Sequence, residues 1–229
     1  QIDAPDIAEG WDQMNPEPSV EDYRAFSRVR IDALNHALEG IDPSLVRFHV
    51  CWGSWHGPHT TDIAFKDIVD LALLVNANGL TFEAANARHA HEWTIWRDTP
   101  LPEGKYLIPG VVSHSTNVVE HPELVTQRIR QFADIVGDER VVASTDCGLG
   151  GRIYPSIAWA KLEALAVESR VEEARVAKER STRQAQVSLE RETALTKLNA
   201  ELEVREQKTK AEEAQKLAQL EAERRMSEA

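Results

Sequence analysis

The sequence predicts an α/β fold of the (β/α)8 TIM-barrel type, with about the last five strands in this chain and a long charged C-terminal helix after them. Two observations predict the barrel. Short β-branched or aromatic runs alternate with helical stretches, as βαβ units and a parallel sheet require. Residues able to do chemistry fall at the carboxyl ends of those runs, where parallel sheets gather their active groups. The helix is predicted by a change of composition: the last glycine is Gly151, the last proline Pro155 and the last aromatic residue Trp159.

The strands are expected at Gln1 to Asp3, Val46 to Cys51, Leu80 to Ala84, Tyr106 to Val112 and Val141 to Thr145. Each is brief, apolar and closed by polar or small residues. The first helix is expected over Ser19 to Leu38, where Ser-Val-Glu-Asp supplies a serine cap and an acidic first turn. A second, Thr61 to Val75, opens on Thr-Asp, with Ile63, Ile68, Leu71, Leu74 and Val75 able to share a face. Only a short helix fits near His89 to Trp96. A longer one runs from Glu120 to Val136, with Pro122 in its first turn and Gly137 as its stop. A closed barrel needs eight strands. Gln1 already lies within a strand-like motif, so the sequence reads as the second part of a barrel whose first strands lie outside it.

From Pro155 onward the pattern is helical, rich in Ala, Glu, Lys, Leu and Arg. Glu168, Glu179, Glu190, Glu201, Glu212 and Glu223 repeat with an 11-residue period, and Leu165, Val176, Val187, Leu198, Thr209 and Leu220 form a second register. Eleven residues make about three helical turns, so each series runs nearly straight along the helix. The division expected is a barrel part over residues 1–172 and an extended helix over 173–229. That helix is either a coiled-coil stalk for self-association or a solvated helix laced with ion pairs.

The 229 residues carry a net charge of −12. All of it lies in residues 1–177, which hold 15 Lys and Arg against 27 Asp and Glu; residues 178–229 balance at 11 and 11. An acidic globular part without a basic stripe argues against nucleic acid as a partner. The longest apolar run, Ile68 to Val75, falls far short of the roughly 20 residues needed to cross a bilayer, so no membrane partner is expected. Two cysteines and no secretory pattern point to a reducing cytoplasm.

Both cysteines sit at strand ends. Cys51 lies in Phe-His-Val-Cys-Trp-Gly, two residues after His49, and Cys147 lies in Ser-Thr-Asp-Cys-Gly. Glu83 closes a third run in Thr-Phe-Glu-Ala-Ala-Asn. Two thiolates, an imidazole and a carboxylate form a donor set that suits tetrahedral Zn²⁺. Buried Cys and core His without a metal, or a Cys51–Cys147 disulfide, are the other readings of the same residues. Cysteine-rich zinc favours chemistry on a bound sulfur over water activation.

The motifs Phe-His-Val-Cys-Trp-Gly, Phe-Glu-Ala-Ala-Asn, Leu-Ile-Pro-Gly-Val-Val-Ser-His and Ser-Thr-Asp-Cys-Gly-Leu-Gly, in this order, resemble the C-terminal barrel of the cobalamin-independent methionine synthase family. Gln-Ile-Asp-Ala-Pro at the start and Ile-Ala-Trp-Ala-Lys-Leu-Glu-Ala-Leu extend the resemblance over about residues 1 to 172. It implies His49, Cys51, Glu83 and Cys147 as zinc ligands, Asp3 as a substrate-binding carboxylate and His114 as the catalytic proton donor. The loop Trp-Gly-Ser-Trp-His-Gly-Pro-His after Cys51 is closer to the epoxyalkane:coenzyme M transferase branch. His56 and His59 in that loop are candidates for substrate contact, and Arg88 or Arg152 for pairing with a substrate carboxylate or sulfonate.

The activity these residues imply is zinc-dependent transfer of a methyl or alkyl group to a small-molecule thiol, as in methionine formation. Two alternatives are an epoxide-opening thiol transferase and an incomplete barrel serving as an interaction module through its helical tail.

Overall fold

In the computed structural model the described residues are 1–54, 59–166, 181–184, 186–188, 190–191 and 193. The chain divides into two compact units, Gln1–Glu173 and Ala174–Ala229. The described residues of the second unit are helical. Most of the predicted stalk and its 11-residue registers lie outside the described residues.

The first unit is built on five parallel strands: β1 (Ile2–Asp3), β2 (Arg47–Val50), β3 (Gly79–Phe82), β4 (Tyr106–Val112) and β5 (Ser144–Thr145). Each new strand adds beside the one before, giving the order β1-β2-β3-β4-β5. The five strands form where the alternation places them, each within or beside its expected span. Register aligns Asp3 with His49, His49 with Thr81, and Phe82 with Pro109. A row of strand-end residues therefore lies at one level across the sheet.

Helix α1 (Val20–Ala37) starts where Ser19 caps it: its hydroxyl accepts from the Asp22 N–H at 3.1 Å. Tyr23, Ser27 and Ile31, at i, i+4 and i+8, form its buried face. Helix α3 (Pro122–Val136) buries Val125, Ile129 and Phe132 at the same kind of spacing and stops at Gly137. In the first unit a further helix, α4, covers residues 155–166.

The helix expected over Thr61 to Val75 is largely replaced. A 3-10 turn at Phe65–Asp67 and the single-turn α2 (Val69–Ala72) stand in its place. The reason is electrostatic. Asp62, the expected cap region, pairs instead with Arg88 at 2.6 Å and with His59 at 2.9 Å. The Phe65 N–H donates to the buried Glu92 carboxylate at 2.7 Å, which holds the segment away from a helical path. The helix expected from Glu120 begins two residues later for a similar reason, because Glu120 is drawn into a buried pair with Lys161 at 2.7 Å.

Aromatic residues fill the layer between sheet and helices. Phe82 lies 5.0 Å from Phe65, 5.6 Å from Trp96 and 5.7 Å from Phe132, ring centre to ring centre. Trp52 meets Phe65 edge-on at 5.4 Å. Such contacts add about 0.5–1.5 kcal/mol per pair beyond burial. Two of these rings, Trp52 and Phe82, are the immediate chain neighbours of Cys51 and Glu83.

The β4–β5 pairing is irregular, with a register shift between Gly110 and Val112. Gly110 is the reason the two strands can approach at all. A Cβ there would lie 2.2 Å from the Asp146 Oδ1, 2.4 Å from its Cα and 2.6 Å from its N. Backbone cannot yield as a flexible side chain can, so Gly110→Ala should cost about 3 kcal/mol. A urea denaturation series checks this; a midpoint equal to that of the wild type would contradict the close packing.

Candidate metal centre

Carboxyl-end positions carry the chemistry. His49 is the third residue of β2 and Cys51 follows its end; Glu83 directly follows β3; Asp146 and Cys147 follow β5. The parallel register thus delivers an imidazole and two thiols to one place. One donor atom each of His49, Cys51 and Cys147 lies within 4.8 Å of the others. The two sulfurs are 3.9 Å apart and both cysteines are free. Sulfurs bound to one zinc at about 2.3 Å in a tetrahedral site stand roughly 3.8 Å apart, so the pair fits a shared zinc ion.

His49 fits as well. Its Nδ1 is hydrogen-bonded to the Thr81 hydroxyl on the neighbouring strand. Its Nε2 is buried without a hydrogen-bond partner. A buried polar atom left in this way is uncommon and calls for an explanation. With Nδ1–H donating to Thr81, Nε2 presents its lone pair, the tautomer that a metal-ligating histidine needs. Thr81 escaped the sequence reading because nothing local links it to His49; only the β2–β3 register does.

The electrostatics of the pair are lopsided. The Cys51 hydrogen bond, with help from His49 and Ser54, holds the Cys147 thiol far below its ordinary value, despite burial. The same hydrogen bond and burial push the Cys51 thiol up. Burial alone would depress His49, but Cys147 beside it raises it. One sulfur thus carries the negative charge that a cation would meet.

Glu83 is 1% exposed, and its carboxylate is turned toward other partners. It accepts from Arg88 at 2.9 Å, from Asn86 Nδ2 at 2.7 Å and from the Trp52 N–H at 3.4 Å. The described donor cluster is therefore His49, Cys51 and Cys147, with Glu83 beside it against the backbone next to Cys51. Arg88 is also occupied, since it bridges Glu83 to Asp62 at 2.6 Å. Arg152 lies on the loop after β5 and donates through Nε to the Ser54 carbonyl. Asp3 is exposed at the end of β1, level with His49. His56 lies outside the described residues, and His59 pairs with Asp62.

His114, just beyond β4, is buried, and its Nδ1 stands 4.0 Å from the Asp146 carboxylate, beyond hydrogen-bond length. Burial lowers its pKa to about 4, so the ring is neutral at pH 7. Asp146 itself is fully buried, and burial pushes it to about 7. Its Oδ1 accepts from the Ala84 and Ala85 N–H groups at 2.7 Å each, and its Oδ2 from Asn86 at 3.1 Å. Asp146 was legible only as an acidic residue closing an apolar run; its role is to tie the end of β5 to the end of β3.

A wound parallel sheet with a thiol–thiol–imidazole cluster at its strand ends defines a barrel-type α/β protein with a metal-competent centre. In sequence the chain is 29% identical over 179 residues to the 2-hydroxypropyl-CoM lyase of Xanthobacter autotrophicus, a match covering 67% of this chain and 47% of that protein. In structure it is similar to a B12-independent methionine synthase from Shewanella sp. W3-18-1 in complex with selenomethionine. The TM-score is 0.58 at 17% identity, over 77% of this chain and 48% of that one. A putative vitamin-B12-independent methionine synthase from Listeria monocytogenes gives a TM-score of 0.47 at 16% identity, over 75% of this chain and 47% of that one. No family model matches the sequence. The first two of these similarities match the family that the sequence motifs resemble. The chain spans about half the length of each of the three proteins. Among the described residues no helix is long and apolar enough to cross a membrane.

Behind the sulfur cluster lies a buried ionic network. His89 pairs with Glu92 at 2.8 Å and with Asp62 at 3.5 Å, and its ring stacks on Trp52 at 4.1 Å. Burial alone would lower the His89 pKa, but the Asp62 and Glu92 carboxylates outweigh it and hold it at about 9. The folded protein therefore keeps this proton at a pH where the unfolded chain, at about 6.5, has lost it. His89 contributes stability that is fully present below about pH 6.5 and is lost as the pH rises through about 9. The loss should be on the order of 3 kcal/mol in unfolding free energy. Urea titrations across this range should show the decline in the wild type and a flatter profile in His89→Gln; parallel profiles would refute the assignment.

Proposed function

We propose that this chain carries out zinc-dependent transfer of an alkyl group to the sulfur of a small-molecule thiol. The observation that carries the reading is the convergence of Cys51, Cys147 and the unpartnered Nε2 of buried His49. These three residues would hold the zinc, and Glu83, beside Cys51, would serve as fourth ligand only by turning away from Arg88 and Asn86. When bound, zinc supplies Lewis acidity that keeps a thiol deprotonated at neutral pH.

The remaining residues bind, orient and move a proton. Asp3, exposed and level with His49, suits a cationic group on the thiol substrate. Of the two candidate arginines, Arg152 suits an anionic group better. Arg88 bridges two carboxylates, whereas Arg152 commits only its Nε to the backbone among the described residues. His114 is neutral at pH 7 and its Nδ1 has no hydrogen-bond partner among the described residues. A ring this reluctant to hold a proton would act by relaying one to the leaving oxygen as charge develops there, not by storing it beforehand.

The electrophile most consistent with the sequence likeness is an epoxide. A 2-hydroxypropyl thioether is what a thiol gives on opening a three-carbon epoxide: a C–S bond forms, a C–O bond breaks, and the ring oxygen takes the proton. Methyl transfer to a thiol is the second reading, supported by the likeness in fold to a B12-independent methionine synthase.

The purified chain should contain close to one zinc ion, and Cys147→Ser should lose it while remaining folded; elemental analysis with circular dichroism measures both. A folded wild type without zinc would overturn the reading. Incubation with a short thiol and an epoxide in the absence of any folate separates the two electrophiles, since a β-hydroxy thioether forms only under the first.

A further inference from the structure

We propose that Ser54 is a positioning residue of the metal centre, a hydroxyl that hydrogen-bonds the Cys147 sulfur and sets both its place and its donor strength. The inference rests on the zinc reading above and deepens it. No motif pointed to Ser54; it is one polar residue in the loop Trp-Gly-Ser after Cys51.

The geometry is specific. The Ser54 Oγ donates to the Cys147 Sγ at 2.8 Å and lies 3.7 Å from the Cys51 Sγ, so it stands against both sulfurs. Cys147 is 93 residues away in sequence, and nothing local favours this contact. The loop is shaped to produce it. Gly53 takes a φ of +79°, a left-handed conformation that turns the chain back after Trp52. A Cβ on Gly53 would also meet the Glu9 side chain at 2.8 Å. The Ser54 backbone is held from the far side, where the Arg152 Nε–H donates to its carbonyl. Side chain and main chain of one residue thus stitch the loop after β2 to the loop after β5, the two loops that carry the thiols.

Two consequences follow from this contact. The bridge keeps the sulfurs at a spacing one metal ion can share, because β2 and β5 are not neighbours and no ladder fixes their separation. The O–H···S bond also withdraws electron density from the Cys147 sulfur, which weakens its donation and leaves a bound metal more electrophilic. For affinity the placement outweighs the weakened donation, since groups that orient a ligand in this way are commonly worth 10–100-fold in metal affinity.

The test uses the whole chain, with Zn²⁺ affinity measured by competition with a chelator and the Co²⁺-substituted protein measured by its thiolate-to-cobalt charge-transfer absorption. Ser54→Ala should bind Zn²⁺ about 10–100-fold more weakly. Its cobalt band should move to longer wavelength, because a sulfur without the hydrogen bond is easier to oxidise. Ser54→Thr, which keeps the hydroxyl, should restore the band position. Ser54→Ala with wild-type affinity and an unshifted band would overturn the proposal while leaving the zinc reading intact. Weaker binding with an unshifted band would reduce Ser54 to a structural staple and overturn it too. A folded wild type that binds neither metal would overturn the zinc reading and this inference together.

Discussion

The buried Asp146 carboxylate is the interaction on which the site's arrangement depends. It lies at the end of β5 and takes two backbone N–H bonds from Ala84 and Ala85, at the end of β3, across the intervening β4. That reach is possible only because Gly110 on β4 has no side chain to block it. Arg128 on α3 adds a second tie, donating to the carbonyls of Val111 and Ala85 at 2.8 and 3.0 Å. Three strand ends are therefore locked together by polar bonds in a place sheltered from water, where such bonds are strong and their loss is costly. Cys147 follows Asp146 directly and inherits its position.

Charge is distributed around this frame with the same economy. Glu83, Arg88, Asp62, His89 and Glu92 form a continuous chain, buried at Glu83, His89 and Glu92 and half-buried at Arg88 and Asp62, in which every carboxylate meets a cation. Buried charges survive only when paired in this way. The network makes the sequence segments 62–65 and 83–92 interdependent, which is why the region before α2 abandons the helix its apolar pattern would allow. On the other side of the site, Lys161 of α4 is fully buried and donates to Glu120, which in turn accepts from the Ser113 N–H. The residue next to His114 is thus anchored, through Glu120, by a lysine that lies 41 positions beyond that glutamate.

Much of the fold was legible. The five strands are apolar runs too short and too β-branched to be helices, and the parallel order follows from the helical stretches between them. Capping by Ser19 and termination at Gly137 are local chemistry, so α1 and α3 end close to where their sequences say. Errors occurred where a distant charge intervened. Asp62 looked like a helix start because two of its three partners, Arg88 and His89, are more than 20 residues away. Ser54, Thr81 and Asp146 were silent for the same reason, since each acts on a residue that only the folded sheet brings near.

The sequence by itself determined the alternation of strand and helix and the donor types placed at strand ends: imidazole on β2 and thiol just after it, carboxylate after β3, thiol after β5. These follow from short-range periodicity and from residue chemistry. Which of those donors meet was decided by tertiary structure. Cys51 and Cys147, 96 residues apart, come within 3.9 Å, while Glu83 is turned aside by Arg88 and His49 is aimed by Thr81. Pairing of this kind is a property of register and of buried electrostatics, both of which depend on residues far along the chain, and no local reading contains it.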